Sequence, residues 1–251
     1  MTLPLGHFVG LVDASGSGGV RIGQSDAWSL VFHLAAWHQP GGGVVRQGLR
    51  CELPVAKGEL QALMGTVNAY SIVETEATSS ANGVVKLRRV APAAATYPEL
   101  ESIAQELQRP IELMSALGRL RYERAYGRYV GRAAWCGKEV KINLHCADPA
   151  HTNSVLQVAS SLFNAQSEWS RRVQEFAVEK LLRLKNEAWI SEGEERVSAE
   201  DFRSRMTLTS ITIEETGRFT FWHHDGDLFW GHAIQVSGDI TNGPTRADIP
   251  G

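Results

Sequence analysis

The sequence predicts an α+β protein: a small β-rich part, barrel-like or a curled sheet, followed by an antiparallel sheet packed by a long helix. Residues 1–91 contain short apolar runs separated by Gly, Pro and Asn-Gly, which is typical of strands joined by turns. Residues 148–190 carry apolar side chains at three- or four-residue steps, which indicates an amphipathic helix. Residues 207–237 return to β-branched and aromatic runs around Asp225-Gly226, a dipeptide typical of hairpins.

The composition is that of a globular protein and excludes several classes. Of the 251 residues, 43% are hydrophobic and 21% are charged, close to the average for soluble domains. The net charge is −3, which argues against a DNA-binding domain with a basic surface. No secretory signal pattern and no apolar run long enough for a transmembrane helix occur, so we expect a cytoplasmic protein without membrane contact. The three cysteines follow no paired spacing and are expected to be reduced and mostly buried.

A run of Pro and small residues at 92–98 predicts a linker between two domains. The first domain is then residues 1–91, the second is 99–238, and the Gly- and Pro-rich tail 239–251 is expected to be frayed. The elements predicted for the first domain are strands at 8–12, 28–37, 44–53, 71–76 and 84–87, a flexible stretch at 15–19, and a short helix at 57–67.

The second domain is predicted to open with a helix over 98–107, which begins at a proline, and with further helical turns over 111–117. Asp148-Pro149 pairs a capping residue with a proline and predicts the start of the long helix. That helix is long for a single element, so a break near Ser167 or Ser170 is expected.

A hairpin is predicted over residues 126–147, with a two-residue turn at Cys136-Gly137. In that register Trp135 faces Lys138, and one side of the hairpin is mostly apolar. The other side is expected to face water and to be basic, with Arg132 opposite Lys141 and Arg128 opposite His145.

The segment from Phe221 to His232 is the main candidate functional segment. It contains three histidines and two aspartates beside four large aromatic residues. His and Asp are common metal ligands. However, a two-residue turn at Asp225-Gly226 separates His223 and His232 by well over about 10 Å along the ladder. We therefore predict neither a metal site nor a cofactor.

Two interpretations of this hairpin remain open. In the first, His224 and Asp227 form a cross-strand pair beside the turn, and His232 is a core histidine with a hydrogen-bond partner. In the second, His232 lines a binding or catalytic cleft with an acidic partner from elsewhere, which makes His232, His224 and Asp227 the candidate catalytic residues. The candidate binding residues are Trp222, Asp225, Phe229 and Trp230.

Charge is distributed unevenly along the chain. Residues 119–132 interleave arginines with tyrosines, a pattern found in RNA-binding surfaces and also on ordinary solvated faces. From Lys185 onward, six Lys and Arg stand against twelve Asp and Glu, a net charge of −6. The acidic end favours a basic protein partner over nucleic acid.

Residues 225–232, read as DGDLFWGH, resemble the signature of a bacterial family catalogued as domain of unknown function 2262. Looser similarity is found at Trp135-Cys136-Gly137, at 181–189 and at Phe202, so that the resemblance covers roughly 122–238. It implies a bacterial, cytosolic α+β domain. The family has no assigned activity, so the resemblance assigns no catalytic residue.

Our leading hypothesis is a non-enzymatic binding protein, of toxin-immunity type, with a basic protein partner. The rival hypothesis is a metal-dependent or histidine-based hydrolase with a site near His232. A third, weaker hypothesis is RNA binding through Arg121, Arg124, Tyr126 and Arg128. The sequence predicts no oligomeric state.

Overall fold

The computed structural model describes residues 5–23, 27–38 and 41–250. It divides into two compact units, Met1–Arg109 and Pro110–Gly251. Each contains one sheet together with helices, so the α+β prediction is confirmed.

The first unit contains a six-stranded sheet and two helices. Its elements are β1 (Gly6–Arg21), β2 (Trp28–His38), β3 (Val44–Val45), β4 (Leu49–Val55), α1 (Lys57–Thr66), β5 (Ile72–Ala81), β6 (Val84–Pro92) and α2 (Pro98–Gln108).

The sheet of the first unit curls into a barrel because β1 pairs with both β5 and β2. The order is β1-β5-β6-β4-β2-β3, and β4 and β6 are the parallel pair. Five strands in this order, with a helix between the third and the fourth, have the connectivity of an OB-fold barrel. The interior is filled by apolar side chains from every barrel strand, among them Phe8, Leu30, Leu53, Val73 and Val85.

The flexible stretch predicted at 15–19 is instead part of β1, so that prediction is wrong. The register of β1 against β2 shifts after Leu11 and again between Val12 and Ser17. Such bulges bend a strand and increase its twist. The bend lets one long strand pair with β5 through 6–11 and with β2 through 9–21, which closes the barrel.

The boundary between the units lies after Arg109, later than the predicted linker 92–98. The chain after β6 is held against β5, because the amides of Ala93 and Ala94 donate to the Ile72 carbonyl and the Glu74 carboxylate. Helix α2 belongs to the first unit. Its buried side chains Leu100, Ile103 and Ala104 pack against Val9, Leu11 and Ala36.

The second unit contains an eight-stranded sheet and three α-helices. Its elements are β7 (Glu112–Ser115), β8 (Gly118–Glu123), β9 (Arg128–Trp135), β10 (Lys138–His145), α3 (Asn153–Asn164), α4 (Gln166–Ala188), α5 (Ala199–Arg205), β11 (Thr207–Glu214), β12 (Arg218–His224), β13 (Ala233–Asp239) and β14 (Gly243–Asp248).

The strands run in the order β14-β13-β12-β11-β10-β9-β8-β7. All neighbouring pairs are antiparallel, as predicted, except the parallel pair β10 and β11. The connection from β10 to β11 contains all three helices, which is the long crossover that a parallel pair requires.

The β9–β10 hairpin is confirmed in the predicted register, with Trp135 opposite Lys138 and Arg128 opposite His145. Its apolar side joins the core under α3 and α4. The predicted long helix is broken at Ala165, close to the expected position.

Three other predictions for the second unit are wrong. Residues 112–115 form strand β7, not helical turns, because they pair with β8. Asp148-Pro149 does not begin a helix, since the Asp148 carboxylate accepts from the Ala150 amide and closes a turn before α3 begins at Asn153. Most of the tail predicted to be frayed is ordered, because Gly243–Asp248 pairs with β13.

Candidate functional site

An eight-residue loop, 225–232, stands where the sequence predicts a two-residue turn. Strand β12 ends at His224, which is opposite Ala233 at the start of β13. The predicted pairing of His224 with Asp227 is therefore wrong. The loop, rather than a hairpin ladder, positions the conspicuous side chains of this segment.

Asp225 holds the loop together from inside. Its side chain is fully buried, with 0% of its surface exposed. Its Oδ2 accepts hydrogen bonds from the amides of Phe229 (2.6 Å) and Gly231 (3.1 Å), and its Oδ1 accepts a longer one from Asp227 (3.3 Å). One carboxylate thus satisfies three backbone donors that a strand would otherwise have to pair.

The loop backbone depends on an unusual number of left-handed residues. Gly226, Asp227, Trp230 and Gly231 all have positive φ, and for Trp230 the angle is 56°. At Gly226 a side chain is excluded, because a Cβ there would lie 2.6 Å from the Arg205 carbonyl oxygen. A bulky residue in this region of φ is held against its intrinsic preference.

The loop buries Phe229 and exposes Trp230, whereas strand alternation from a two-residue turn at Asp225-Gly226 would place Trp230 on the core side together with Leu228. Leu228 and Phe229 are fully buried, and Phe229 meets the Phe202 ring edge-on at 5.9 Å. The Trp230 side chain is 62% exposed. Phe229 is therefore a core residue and not a binding residue.

Trp189, the residue that follows α4, joins Trp230 and His232 into an aromatic cluster. Its ring centroid lies 4.7 Å from that of Trp230 and 5.4 Å from that of His232. It also contacts Phe229 edge-on at 5.6 Å, which ties the cluster to the core. The three side chains Trp189, Trp230 and His232 are called the aromatic cluster below.

The candidate catalytic residues are not brought together by the loop. His224 is exposed and its Nδ1 accepts from the Gly226 amide, while Asp227 is also exposed and pairs with neither histidine. His232 is half-buried against Trp189 and is not a core histidine. Among the described residues, no carboxylate is hydrogen-bonded to His232, and no three His, Cys, Asp or Glu side chains form a group suited to a metal ion.

The core histidine of this segment is His223, which is not among the candidate residues predicted from the sequence. It is 4% exposed, and its Nδ1 has no hydrogen-bond partner among the described residues. Burial lowers its pKa from 6.5 to about 4, and only a contact with the Ile234 backbone opposes that shift. The burial of His223 follows from strict alternation along β12, because His223 is two residues beyond the buried Phe221 and four beyond the buried Phe219.

The end of α4 beside the aromatic cluster is held by a buried lysine. The Lys185 side chain is 1% exposed, and its Nζ donates to the Trp189 carbonyl and to the Glu194 carboxylate, both at 2.7 Å. Hydrogen bonds from Lys185 and from the Ser191 amide lower the pKa of Glu194. Lys185 therefore fixes the backbone of Trp189 through its carbonyl. Asp225 similarly fixes the backbone on both sides of Trp230, through the amides of Phe229 and Gly231.

We expect Lys185→Met to destabilise the protein by about 2 kcal/mol, because it leaves the Trp189 carbonyl and the Glu194 carboxylate without their donor. This destabilisation is smaller than for a fully buried pair, because 28% of the Glu194 side chain is exposed to solvent. Urea unfolding measures the change. Lys180→Met on the same helix is the control, and its exposed side chain predicts a change below about 0.5 kcal/mol. Equal effects of the two substitutions would show that Lys185 has no special role.

The cysteines do not form a reactive site. Cys51 and Cys146 are buried, as expected, and Cys136 is exposed in the β9–β10 turn. Burial raises the pKa of Cys51 to about 12 and also raises that of Cys146, whose thiol donates to the Asp148 carbonyl. Neither buried thiol is therefore activated as a nucleophile.

The fold and the loop define a two-unit α+β protein that displays a tryptophan from a loop held by a buried carboxylate. The model of a bacterial family of uncharacterized proteins, DUF2262, matches residues 114–249, more than half of the chain. The chain belongs to this family, and the resemblance noted over 122–238 is confirmed. A second model, a domain of unknown function termed DUF7021, matches residues 6–107, which lie outside the resemblance over 122–238.

No curated protein shows significant similarity to the chain. One solved chain, from work described as "Molecular basis for abrogation of activation of pro-inflammatory cytokines", is 9% identical. The match covers 57% of this chain and 77% of that chain, with a TM-score of 0.24. A TM-score this low supports no conclusion about fold or function. Among the described residues, no helix combines the length and hydropathy needed to cross a membrane.

Proposed function

We propose that the protein is a non-enzymatic binding protein whose second unit recognises a basic protein partner through the aromatic cluster. The observation that carries the proposal is Trp230, a large aromatic side chain held 62% exposed by a loop with a left-handed backbone. Tryptophan is enriched among the residues that dominate binding energy at interfaces. A side chain already fixed before binding loses little conformational entropy in the complex.

The charge around the cluster supports a basic partner. Glu192 and Glu195 follow Trp189 closely, and Asp227 precedes Trp230 in the loop. All three are exposed, and none forms an ion pair within the described ranges. Unpaired carboxylates close in sequence to the exposed indole of Trp230 and to Trp189 suit a Lys or Arg side chain, which gains both charge complementarity and a cation–π contact.

Within this class, the acidic end of the chain suits a toxin-immunity protein that holds a basic toxin in an inactive complex. We place the interaction in the cytoplasm, and the three free cysteines support that location, because thiols stay reduced there.

The test is affinity capture from a bacterial lysate with immobilised wild type, Trp230→Ala and Met114→Ala. Met114 is 74% exposed on β7 and serves as a matched apolar control. We expect a stoichiometric, basic partner that both the wild type and Met114→Ala retain and that salt releases. The affinity of Trp230→Ala for this partner should be about 30-fold lower or weaker still. Equal retention by Trp230→Ala, or no stoichiometric partner at any salt concentration, would contradict the proposal.

A further inference from the structure

The sheet of the second unit has one face that the helices do not cover. Side chains alternate along each strand, so those next to the core residues Tyr122, Ile142 and Phe221 point away from α3 and α4. We call this side the open face. Its side chains on β8 to β12 include Arg119, Arg121, Arg132, Lys141, Ser210 and Trp222.

The strand register places four of these residues in one row across the sheet. Arg132 is opposite Lys141, Lys141 is opposite Ser210, and Ser210 is opposite Trp222. Because neighbouring strands lie about 4.8 Å apart, Trp222 is about 10 Å from Lys141 in backbone position. The half-buried Trp222 thus lies two strands away from Lys141 in the row that contains the cations Arg132 and Lys141, and the row continues to Gln235 on β13.

Cations outnumber carboxylates on the β7–β10 part of this face. The basic residues are Arg119, Arg121, Arg128, Arg132 and Lys141, and the acidic residues are Glu112, Glu123 and Glu139. Arg121 and Lys141 form no ion pair with any described residue. Arg119 and Arg132 pair with Glu112 and Glu139 in exposed salt bridges, which are weak and exchange readily.

We infer that the open face binds single-stranded nucleic acid, with phosphates on Arg121 and Lys141 and a base stacked on Trp222. Proteins that bind single strands without sequence preference combine cations along the path of the nucleic-acid backbone with an aromatic side chain on which bases stack. The chain's net charge of −3 does not oppose this, since the acidic residues concentrate after Lys185 and the open-face cations belong to earlier strands.

The residues differ from those in the RNA hypothesis drawn from sequence. The Arg128 guanidinium lies 4.6 Å from the Tyr126 ring centroid and also pairs with Glu123, so these two side chains already engage each other. Arg121 remains, and Lys141 and Trp222 take the place of the others. The parallel pairing of β10 with β11 is what brings Lys141 and Trp222 into one row.

The test is fluorescence anisotropy of labelled oligouridylate and oligothymidylate, titrated with wild type and variants between about 50 and 200 mM salt. We expect affinity to fall steeply with salt. Arg121→Gln and Lys141→Gln should each reduce the slope of log K against log salt by about 0.7. Trp222→Ala should weaken binding about 10-fold without changing the slope, whereas Trp222→Phe should keep most of the affinity.

Arg171→Gln is the matched control, because Arg171 is also exposed but lies on α4. No binding at low salt, or equal weakening by Arg171→Gln, would overturn the inference. Equal binding of an oligoglutamate peptide, sensitive to Trp222→Ala, would overturn it in favour of an acidic protein partner. Should Trp222→Ala fail to fold, the two charge variants decide. Trp230→Ala should leave nucleic-acid binding unchanged, which separates this inference from the proposed function.

Discussion

Asp225→Ala is expected to destabilise the protein by about 4 kcal/mol, the largest effect of any substitution considered. The change removes the acceptor of three backbone amides, among them that of the buried Phe229. Each buried donor left unpaired costs about 1–3 kcal/mol. Without these hydrogen bonds the loop backbone no longer holds Phe229 in the core. The packing of Phe229 against Phe202 and Trp189 is therefore lost as well. Urea unfolding measures the difference.

Asp227→Asn is the matched control for Asp225→Ala. Asp227 is exposed two positions away, and asparagine tolerates its left-handed backbone. We expect a change below about 0.5 kcal/mol. If the two variants were equally stable, the Asp225 carboxylate would not be what holds the loop.

Acid is expected to destabilise the protein through His223 by on the order of 3 kcal/mol. Burial depresses its folded-state pKa to about 4, while the unfolded chain binds the proton near pH 6.5. The stability from neutral His223 is therefore fully present above pH 6.5. It is lost as pH falls from 6.5 towards 4, because protonation then favours the unfolded chain.

Comparing the acid-induced loss of unfolding free energy in wild type and in His223→Leu separates the effect of His223 from that of the carboxylates, because both proteins carry the same carboxylates. Urea unfolding at pH 7 and at pH 4.5 should show a smaller acid loss for His223→Leu than for wild type. His224→Gln, at the exposed neighbouring position, should retain the full loss. An acid loss in His223→Leu as large as in wild type would contradict a buried, neutral His223.

Local signals in the sequence were sufficient for the β9–β10 hairpin and insufficient for the β12–β13 connection. At Cys136-Gly137 a two-residue turn and strand alternation agree, and the observed register is the predicted one. At Asp225-Gly226 the same kind of signal is overridden. The Asp225 carboxylate offers backbone amides an alternative to strand pairing, and burial of Leu228 and Phe229 adds apolar contacts that a tight turn would not.

The sequence points to residues 225–232 as the candidate segment, but the burial of its side chains depends on the loop that they form. Trp230 and His232 both lie in this loop. Strand alternation does not hold in this segment, because the segment is a loop. Alternation therefore predicts an exposed Phe229 and a core-facing Trp230, the opposite of the observed burial. Trp189 was missed because the end of α4 reaches the loop only through tertiary packing. The open-face row was missed because the parallel pairing of β10 and β11 is set by a long crossover that contains all three helices.

Amide hydrogen exchange at Phe229 and Gly231 tests most directly whether the loop that presents Trp230 is held in place before binding. Both amides donate to Asp225 Oδ2. We expect them to exchange as slowly as the amides of strand β12 in wild type, and to lose that protection in Asp225→Ala. Exchange at the rate of an open loop in the wild-type protein would contradict a preorganised aromatic cluster.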